Sequence, residues 1–332
     1  MKKKLQKKLI KYYFIIMISF KFFIVLDSAF CFHDMKEIYF KKFSTIINYD
    51  ITNNKRSTTN YNQLGVLFGE NLPLLGPESF SNDIDGNLFI CDTVNKKINV
   101  YSCEGIFKFH IQLNNIIPND IAVDKYGRIY IYDDNKMKIF HIAHSSEVLE
   151  SIEVNKSRWD CRSSIHIVNN NIYLSNCSQQ DIIIGKIVNG KLVNITNEDL
   201  NEIPIQGILS ASDKRYIVRI IKGKQGIIYV YSNDLEYIYK LPIKGILSIK
   251  YISEDQDQNF YIQTEKRNGN SIELQVHKFD YQGILLCSTI IPQNNYTFWS
   301  IKLLSIDNKG NIWQFITLKE EAIINCFKKT VK

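Results

Sequence analysis

The chain has 332 residues, of which 45% are hydrophobic and 23% charged, a balance that fits a globular protein and excludes a wholly disordered one. Its net charge of +7 sits almost entirely at one end: residues 1–31 hold seven lysines and one acid, a net of +6, which leaves +1 for the rest. No folded basic stripe interleaved with aromatics remains, so nucleic acid is not an expected partner.

Residues 1–31 read as a signal peptide or an N-terminal anchor. A lysine-rich start precedes an apolar run from Tyr12 to Leu26, and Ser28, Ala29 and Cys31 follow. The run is short for a membrane span and Lys21 interrupts it. Export to a secreted, periplasmic or cell-surface location is the expectation, with membrane contact only through this segment if it stays uncleaved. Residues 32–63 are polar and rich in Asn, Thr and Lys, and read as a linker or lead-in. Gln63 to Phe68 is expected to be the first strand of the folded domain, 64–329, closing the last sheet beside Ala322 to Phe327.

The first clear strands lie in Gly86–Tyr101, GNLFICDTVNKKINVY. Leu88 to Cys91 and Lys97 to Tyr101 are strand-like runs, separated by Asp92, Thr93, Val94, Asn95 and Lys96, which reads as a hairpin. Asp83-Ile84-Asp85-Gly86-Asn87 forms the turn before it. This turn recurs as Asp124-Lys125-Tyr126-Gly127-Arg128, Asp255-Gln256-Asp257-Gln258-Asn259 and Asp307-Asn308-Lys309-Gly310-Asn311, each followed by an apolar–aromatic–apolar run. Weaker copies are Asn169-Asn170-Asn171 before Ile172-Tyr173-Leu174 and Ser212-Asp213-Lys214-Arg215 before Tyr216-Ile217-Val218. Six copies result, the first two turns being 41 residues apart at Gly86 and Gly127. A period of roughly 40–50 residues built of four short strands predicts an all-β, six-bladed β-propeller of four-stranded antiparallel blades. The recurring aromatic is expected in the core between neighbouring blades.

GNLFICDTVNKKINVYSCEGIF resembles the NHL repeat, through Asp92, Asn95, Lys97, Ile98 and Gly105. IPNDIAVDKYGRIYIYDDNKMKIF is similar, through Pro118, Ile121, Asp124, Gly127, Asp133 and Ile139. The resemblance covers residues 76–142 well and the later copies faintly. It implies a propeller of the NHL or lactonase-like superfamily, whose members carry unrelated activities. Lactonase-like propellers hold a divalent metal such as calcium on the central axis. Gly76-Pro77-Glu78 and Pro118-Asn119-Asp120 resemble two of that family's motifs, which would make Glu78 and Asn119 metal or substrate contacts. The remaining blades show no matching element, and Asn119 and Asp120 equally fit a capped turn before a strand.

Other chemistry finds little support. There is no His-Glu-x-x-His, Cys-x-x-Cys or Gly-x-Ser-x-Gly. His141 and His144 are three apart, on opposite faces of a strand, while His110, His166 and His277 stand singly in apolar strands. Asp92 and Asp133 head equivalent hairpin turns and read as structural, with calcium as the alternative. Export would permit disulfides, and Cys161 and Cys177 flank a hairpin, SSIHIVNNNIYLSN, that places them nearly opposite each other; reduced buried thiols are the other reading. Arg158, Trp159 and Trp299 fall between blades, where loops surface, and Trp and Arg favour recognition.

These residues predict an exported monomeric binding module without a cofactor. It would recognise a protein, peptide or glycan partner through inter-blade loops at Asn119, Asp120, Arg158, Trp159 and Trp299. The alternative is a metal-dependent lactonase-like hydrolase, or a lyase, working in the central channel.

Overall fold

The computed structural model describes residues 38–50, 63–66, 75–154, 163–176, 178–195, 205–221, 225–293, 300–319 and 321–331. Residues 40–329 form one compact unit; residues 1–39 with 330–332 form another, described only at two strand ends. The large unit is all-β. It begins with β1 (Ile38–Asp50) and β2 (Leu64–Gly65). Blade 1 comprises β3 (Ser79–Asn82), β4 (Leu88–Asp92), β5 (Lys97–Tyr101) and β6 (Phe107–Gln112), and blade 2 comprises β7 (Asp120–Val123), β8 (Ile129–Asp133), β9 (Lys138–Ile142) and β10 (Val148–Glu153). Blade 3 has β11 (Ser164–Val168), β12 (Asn171–Ser175), β13 (Gln180–Val188) and β14 (Lys191–Asn194), with β15 (Ile205–Gln206) added beside β13. Blade 4 has β16 (Ile208–Leu209), β17 (Lys214–Ile221), β18 (Gln225–Ser232) and β19 (Tyr237–Lys244). Blade 5 has β20 (Ser248–Glu254), β21 (Phe260–Asn268), β22 (Ser271–Phe279) and β23 (Leu285–Ile291). Blade 6 joins β24 (Leu304–Ile306), β25 (Ile312–Thr317) and β26 (Glu321–Val331) to β1 and β2. The first strand of each blade lines the central axis, and β3 packs beside β7, β7 beside β11, β20 beside β24 and β24 beside β3. This is the expected six-bladed propeller.

The ring closes differently from the expectation. The strand beside β26 is β1, drawn from the span read as a polar lead-in, 32–63. Leu64–Gly65, expected in that place, runs parallel to β1, with Tyr49 opposite Leu64. The apolar positions of IYFKKFSTIINYD alternate too weakly among lysines to announce a strand, yet Ile47 is buried in the seam between blades 6 and 1.

All six repeat copies occupy the same place, the connection between the first and second strands of a blade. The chemistry of the motif is local. Asp83 Oδ1 accepts the N–H groups of Asp85 (3.0 Å) and Asn87 (2.8 Å), and Asp307 Oδ1 does the same for Lys309 and Asn311. The fifth residue returns a side-chain donor to the same aspartate, from Asn87 Nδ2 at 2.7 Å or Arg128 Nε at 2.6 Å, which explains why Asn or Arg stands there. The fourth residue adopts positive φ, as at Gly86, Gly127 and Gly310, where glycine is free of the Cβ penalty. In blade 4 this turn starts at Ser210, and Asp213 takes the glycine's place at φ 57°, rather than that of the leading aspartate. In blade 3 Asn169 and Asn170, both at positive φ, make a two-residue hairpin turn.

The aromatic after each turn packs forward into the next blade. Phe89 joins Ile121 and Ile129 of blade 2, Tyr130 joins Ile165 and Ile172 of blade 3, and Tyr173 joins Leu209 of blade 4. Tyr216 joins Phe260 and Ile262 of blade 5, Tyr261 joins Ile306 and Ile312 of blade 6, and Trp313 returns to Phe80 and Leu88 of blade 1. Each blade thus covers a face that its neighbour could not bury alone.

Candidate functional site

The loops that enter the innermost strands and the turns between second and third strands come together on one face of the ring. Here a pocket of about 320 Å³ opens among blades 1, 2 and 6. The approach to β3 supplies Leu75 and Glu78, and the β4–β5 turn supplies Thr93, Val94 and Lys96. Ile117 and Asn119 come from the β6–β7 connection, while Tyr132, Asp134 and Asn135 come from the end of β8 and its turn. Ser163 and Ile301 complete the wall.

The floor is built by backbone needs as well as by side chains. Asp133 heads the β8–β9 turn, accepting the N–H groups of Asn135 and Lys136 through Oδ1 and that of Ile117 through Oδ2 at 3.0 Å. Asp92 does the same in blade 1, where both carboxylate oxygens accept from Gly65 N at 3.1 Å and Asn95 supplies further donors. Both aspartates are buried, and their role here is structural. Burial pushes the Asp92 carboxyl upward against the pull of Lys97, 3.8 Å away, and of these donors.

Glu78 and Asn119, singled out by the lactonase-like resemblance, do meet. Asn119 Nδ2 donates to Glu78 Oε2 at 3.0 Å, and Asn119 Oδ1 accepts the Asp134 N–H at 2.9 Å. The second bond fixes the amide's orientation, since the backbone N–H needs an acceptor. The pair therefore offers an N–H, not a second oxygen, to the space between them, a donor set that does not fit a hard divalent cation. Among the described residues no group of three or more His, Cys, Asp or Glu side chains could hold a metal ion. Tyr132 donates its hydroxyl to Asp134 Oδ1 at 2.8 Å, and burial pushes its pKa far above the ordinary phenol value. The Lys96 ammonium makes no bond or ion pair among the described residues, and it is the single cation among the described lining residues.

Asp120 lies deeper, on the axis. Its Oδ1 accepts from the Ser79 hydroxyl and, at 2.8 Å, from Ile121 N, and its Oδ2 accepts from Ile165 N at 2.7 Å. Lys302, at the entry to blade 6, crosses the ring to reach it at 2.9 Å, and also donates to the carbonyls of Ile121 and Ile165. Asp120 is thereby committed to holding blades 1, 2, 3 and 6 around the axis. No sequence signal pointed to Lys302, a single lysine in a loop, or to Thr93, Lys96 and Asp134, whose proximity depends on turns in different blades.

Arg158, Trp159 and Trp299 lie outside the described residues, as do Cys161 and Cys177; Ser163 and Ile301, nearby in the chain, line the pocket. Among the described cysteines Cys91, Cys103, Cys287 and Cys326 are free thiols.

No protein-family model and no curated protein matches this chain. Among solved structures it is similar to a streptogramin B lyase at 11% identity and TM-score 0.47, covering 86% of this chain and 98% of that one. A member of the DUF4221 family from Bacteroides vulgatus is similar at 12% identity and TM-score 0.47, over 90% and 100% of the two chains. Virginiamycin B lyase from Staphylococcus aureus is similar at 11% identity and TM-score 0.45, over 87% and 100%.

Proposed function

We propose that this propeller is a binding module that takes a neutral, hydroxyl- or amide-bearing group, such as the end of a glycan or a peptide segment, into the pocket among blades 1, 2 and 6. The observation that carries this reading is the pocket's polar inventory, assembled by loops of separate blades. Carboxylates at Glu78 and Asp134, the Lys96 ammonium, the Asn135 amide and the Thr93 and Ser163 hydroxyls share the lining with the apolar side chains of Leu75, Val94, Ile117 and Ile301. Both signs of charge and both kinds of hydrogen-bonding partner are present, which suits a ligand with many donors and acceptors and no net charge. Binding groups commonly concentrate on loops positioned by a rigid scaffold. The basic, apolar leader supports export, so the partner would be met outside the cytoplasm or at the cell surface.

Thermal unfolding in the presence of mono- and disaccharides and of short neutral peptides tests this, because a ligand for the folded state raises the midpoint by mass action. A saturable rise in the wild type that vanishes in Val94→Trp, which fills the pocket from an outer turn, is the expected result. A rise that is equal in both proteins, or no rise with any of these probes, overturns it.

A further inference from the structure

Two free thiols meet at the seam that closes the ring. Cys326, on β26, is buried with Ala322 and Ile324 in the cluster that blade 6 shares with blade 1, and Cys103, from the β5–β6 turn of blade 1, packs against the same cluster. The repeat shows what each position faces. Leu88, Ile129 and Ile312 open the second strands of blades 1, 2 and 6, and pair with Tyr101, Ile142 and Phe327 on the third strands. Cys103 thus stands two residues after Tyr101, as His144 stands two after Ile142, and Cys326 stands one before Phe327, as Val100 stands one before Tyr101. In the seam between blades 1 and 2 the His144 ring lies 5.7 Å from that of Phe109, the strand partner of Val100. The same step taken back from blade 1 to blade 6 sets Cys103 over β26 and β1, beside Cys326. Contacts on both sides of the turn agree. Thr45 Oγ1 of β1 lies 3.5 Å from the Glu104 carbonyl oxygen, a Cβ on Gly105 would run into Thr45, and Ser44 bonds Asn325, the residue before Cys326, at 2.7 Å. On the inner side, a Cβ on Gly86 would lie 3.5 Å from Cys103 Cβ and 3.8 Å from Asp307 Oδ2, which accepts from the indole of Trp313, the strand partner of Cys326. The other described cysteines face elsewhere, Cys91 toward blade 2 and Cys287 from β23 of blade 5.

We propose that Cys103 and Cys326 form a disulfide site that fastens blade 1 to blade 6, made by exchange with a small-molecule or protein disulfide. Cys103 is the half-buried partner and meets the oxidant first. Its thiol loses the proton, and the thiolate attacks one sulfur of the oxidant's disulfide, whose other sulfur leaves as a thiolate and is protonated. The Cys326 thiol then loses its proton and attacks Cys103 Sγ in the mixed disulfide, displacing the second thiolate, which is protonated in turn. The two cysteines give up two electrons, and the oxidant's disulfide becomes two thiols. Cys103 exchanges its bond to Glu104 Oε1, 2.8 Å away, for the new one. The bridge joins the first blade to the last, a long loop closed covalently where the ring is otherwise held by strand pairing and packing alone. The proposed export would bring the pair into an oxidising setting. The site shares no residue with the loop-face pocket.

The test is disulfide mapping of the full-length protein after incubation with oxidised glutathione in excess over reduced. An alkaline buffer suits it, because the Glu104 bond and burial hold the Cys103 thiol above its ordinary pKa and burial pushes that of Cys326 up to about 12. Digestion without reductant and mass spectrometry are expected to recover the Cys103 and Cys326 peptides joined. The oxidised protein should also melt several degrees above the reduced one, a rise that Cys103→Ser should lose. Recovery of either cysteine as a free thiol, as a glutathione adduct or in a bridge to a third cysteine overturns the proposal. So does an equal rise in the wild type and Cys103→Ser, or no rise in the wild type. The mapping is read on the wild-type chain, so it counts whether or not the variant folds.

Discussion

The Lys302 ammonium, carried into blade 6, rests 2.9 Å from the Asp120 carboxylate of blade 2, so one ion pair spans the central axis. Asp120 is fully buried and three further donors converge on it. Removing the cation would leave a charge in the interior without its ionic partner. Lys302→Met should therefore cost about 3 kcal/mol, the low end for a broken buried pair because backbone donors remain. Denaturant titration measures it, and a double-mutant cycle with Asp120→Asn should show strong coupling between the two positions. Additive losses would mean that the pair carries no joint energy.

The forward-facing aromatics offer a matched comparison. Tyr130 and Tyr261 occupy the same motif position and both are fully buried. The Tyr130 hydroxyl has no hydrogen-bond partner among the described residues, whereas that of Tyr261 donates to Asp255 Oδ2 at 2.9 Å and lies 3.1 Å from the Gly310 carbonyl of the next blade. Deleting an orphaned buried hydroxyl removes a desolvation cost, while deleting a bonded one strands its partners. Tyr130→Phe is expected to be neutral or stabilising by about 1 kcal/mol, and Tyr261→Phe destabilising by about 2 kcal/mol. Equal effects in thermal or denaturant unfolding would contradict this assignment.

The Asp-x-x-Gly turns separate backbone strain from steric conflict. Gly127 and Gly310 share φ near 80°, yet a Cβ on Gly127 would meet nothing within 4 Å, and one on Gly310 would lie 2.5 Å from Tyr261 Oη and 2.8 Å from Asp255 Oδ2. Gly127→Ala should cost about 1 kcal/mol, the left-handed backbone penalty alone. Gly310→Ala should cost clearly more, since it also wedges apart the blade 5–6 seam. Melting of the two variants side by side distinguishes them, and a smaller loss at Gly310 would count against the packing described.

His277 sets an acid limit. Its Nε2 lies 2.8 Å from Thr264 Oγ1 and its Nδ1 2.7 Å from Ser288 Oγ. Burial, helped by Lys266, pushes its pKa from 6.5 down to about 4. Between those values the unfolded chain binds the proton and the folded chain refuses it. Stability is therefore whole above about pH 6.5 and falls as the pH drops through 4, by roughly 3 kcal/mol in all at 1.36 kcal/mol per unit. Comparing His277→Gln with the wild type at pH 7 and pH 4.5 should show the variant losing less on acidification. The same loss in both proteins would place the effect elsewhere.

The fold was legible because its instructions are short-range. An aspartate that caps two amides, a residue free to take positive φ and an Asn or Arg that bonds back to that aspartate all fall within five residues, and the aromatic follows at once. Six repetitions of that unit announce six blades. Where the unit drifts, as at Asn169-Asn170 and at Ser210–Lys214, the copies could be counted but their register could not be read correctly. The closing strand escaped notice for a related reason. Residues 38–50 carry no turn motif and little alternation, and they become a strand by pairing with β26.

The site was legible only in part. Glu78 and Asn119 were found through local motifs, and the structure does bring them to 3.0 Å, but the direction of the Asn119 amide is set by the Asp134 backbone in another turn. The amino-acid order by itself determined the repeating turn, the inward aromatic and hence the ring, since each depends on contacts between near neighbours in the chain. Only the tertiary structure decided that Lys302 meets Asp120 and that Lys96, from a turn of blade 1, lines one pocket with Asp134, from a turn of blade 2. Those outcomes depend on how far the blades rotate about a common centre, a quantity summed over the whole ring and written in no single stretch of it.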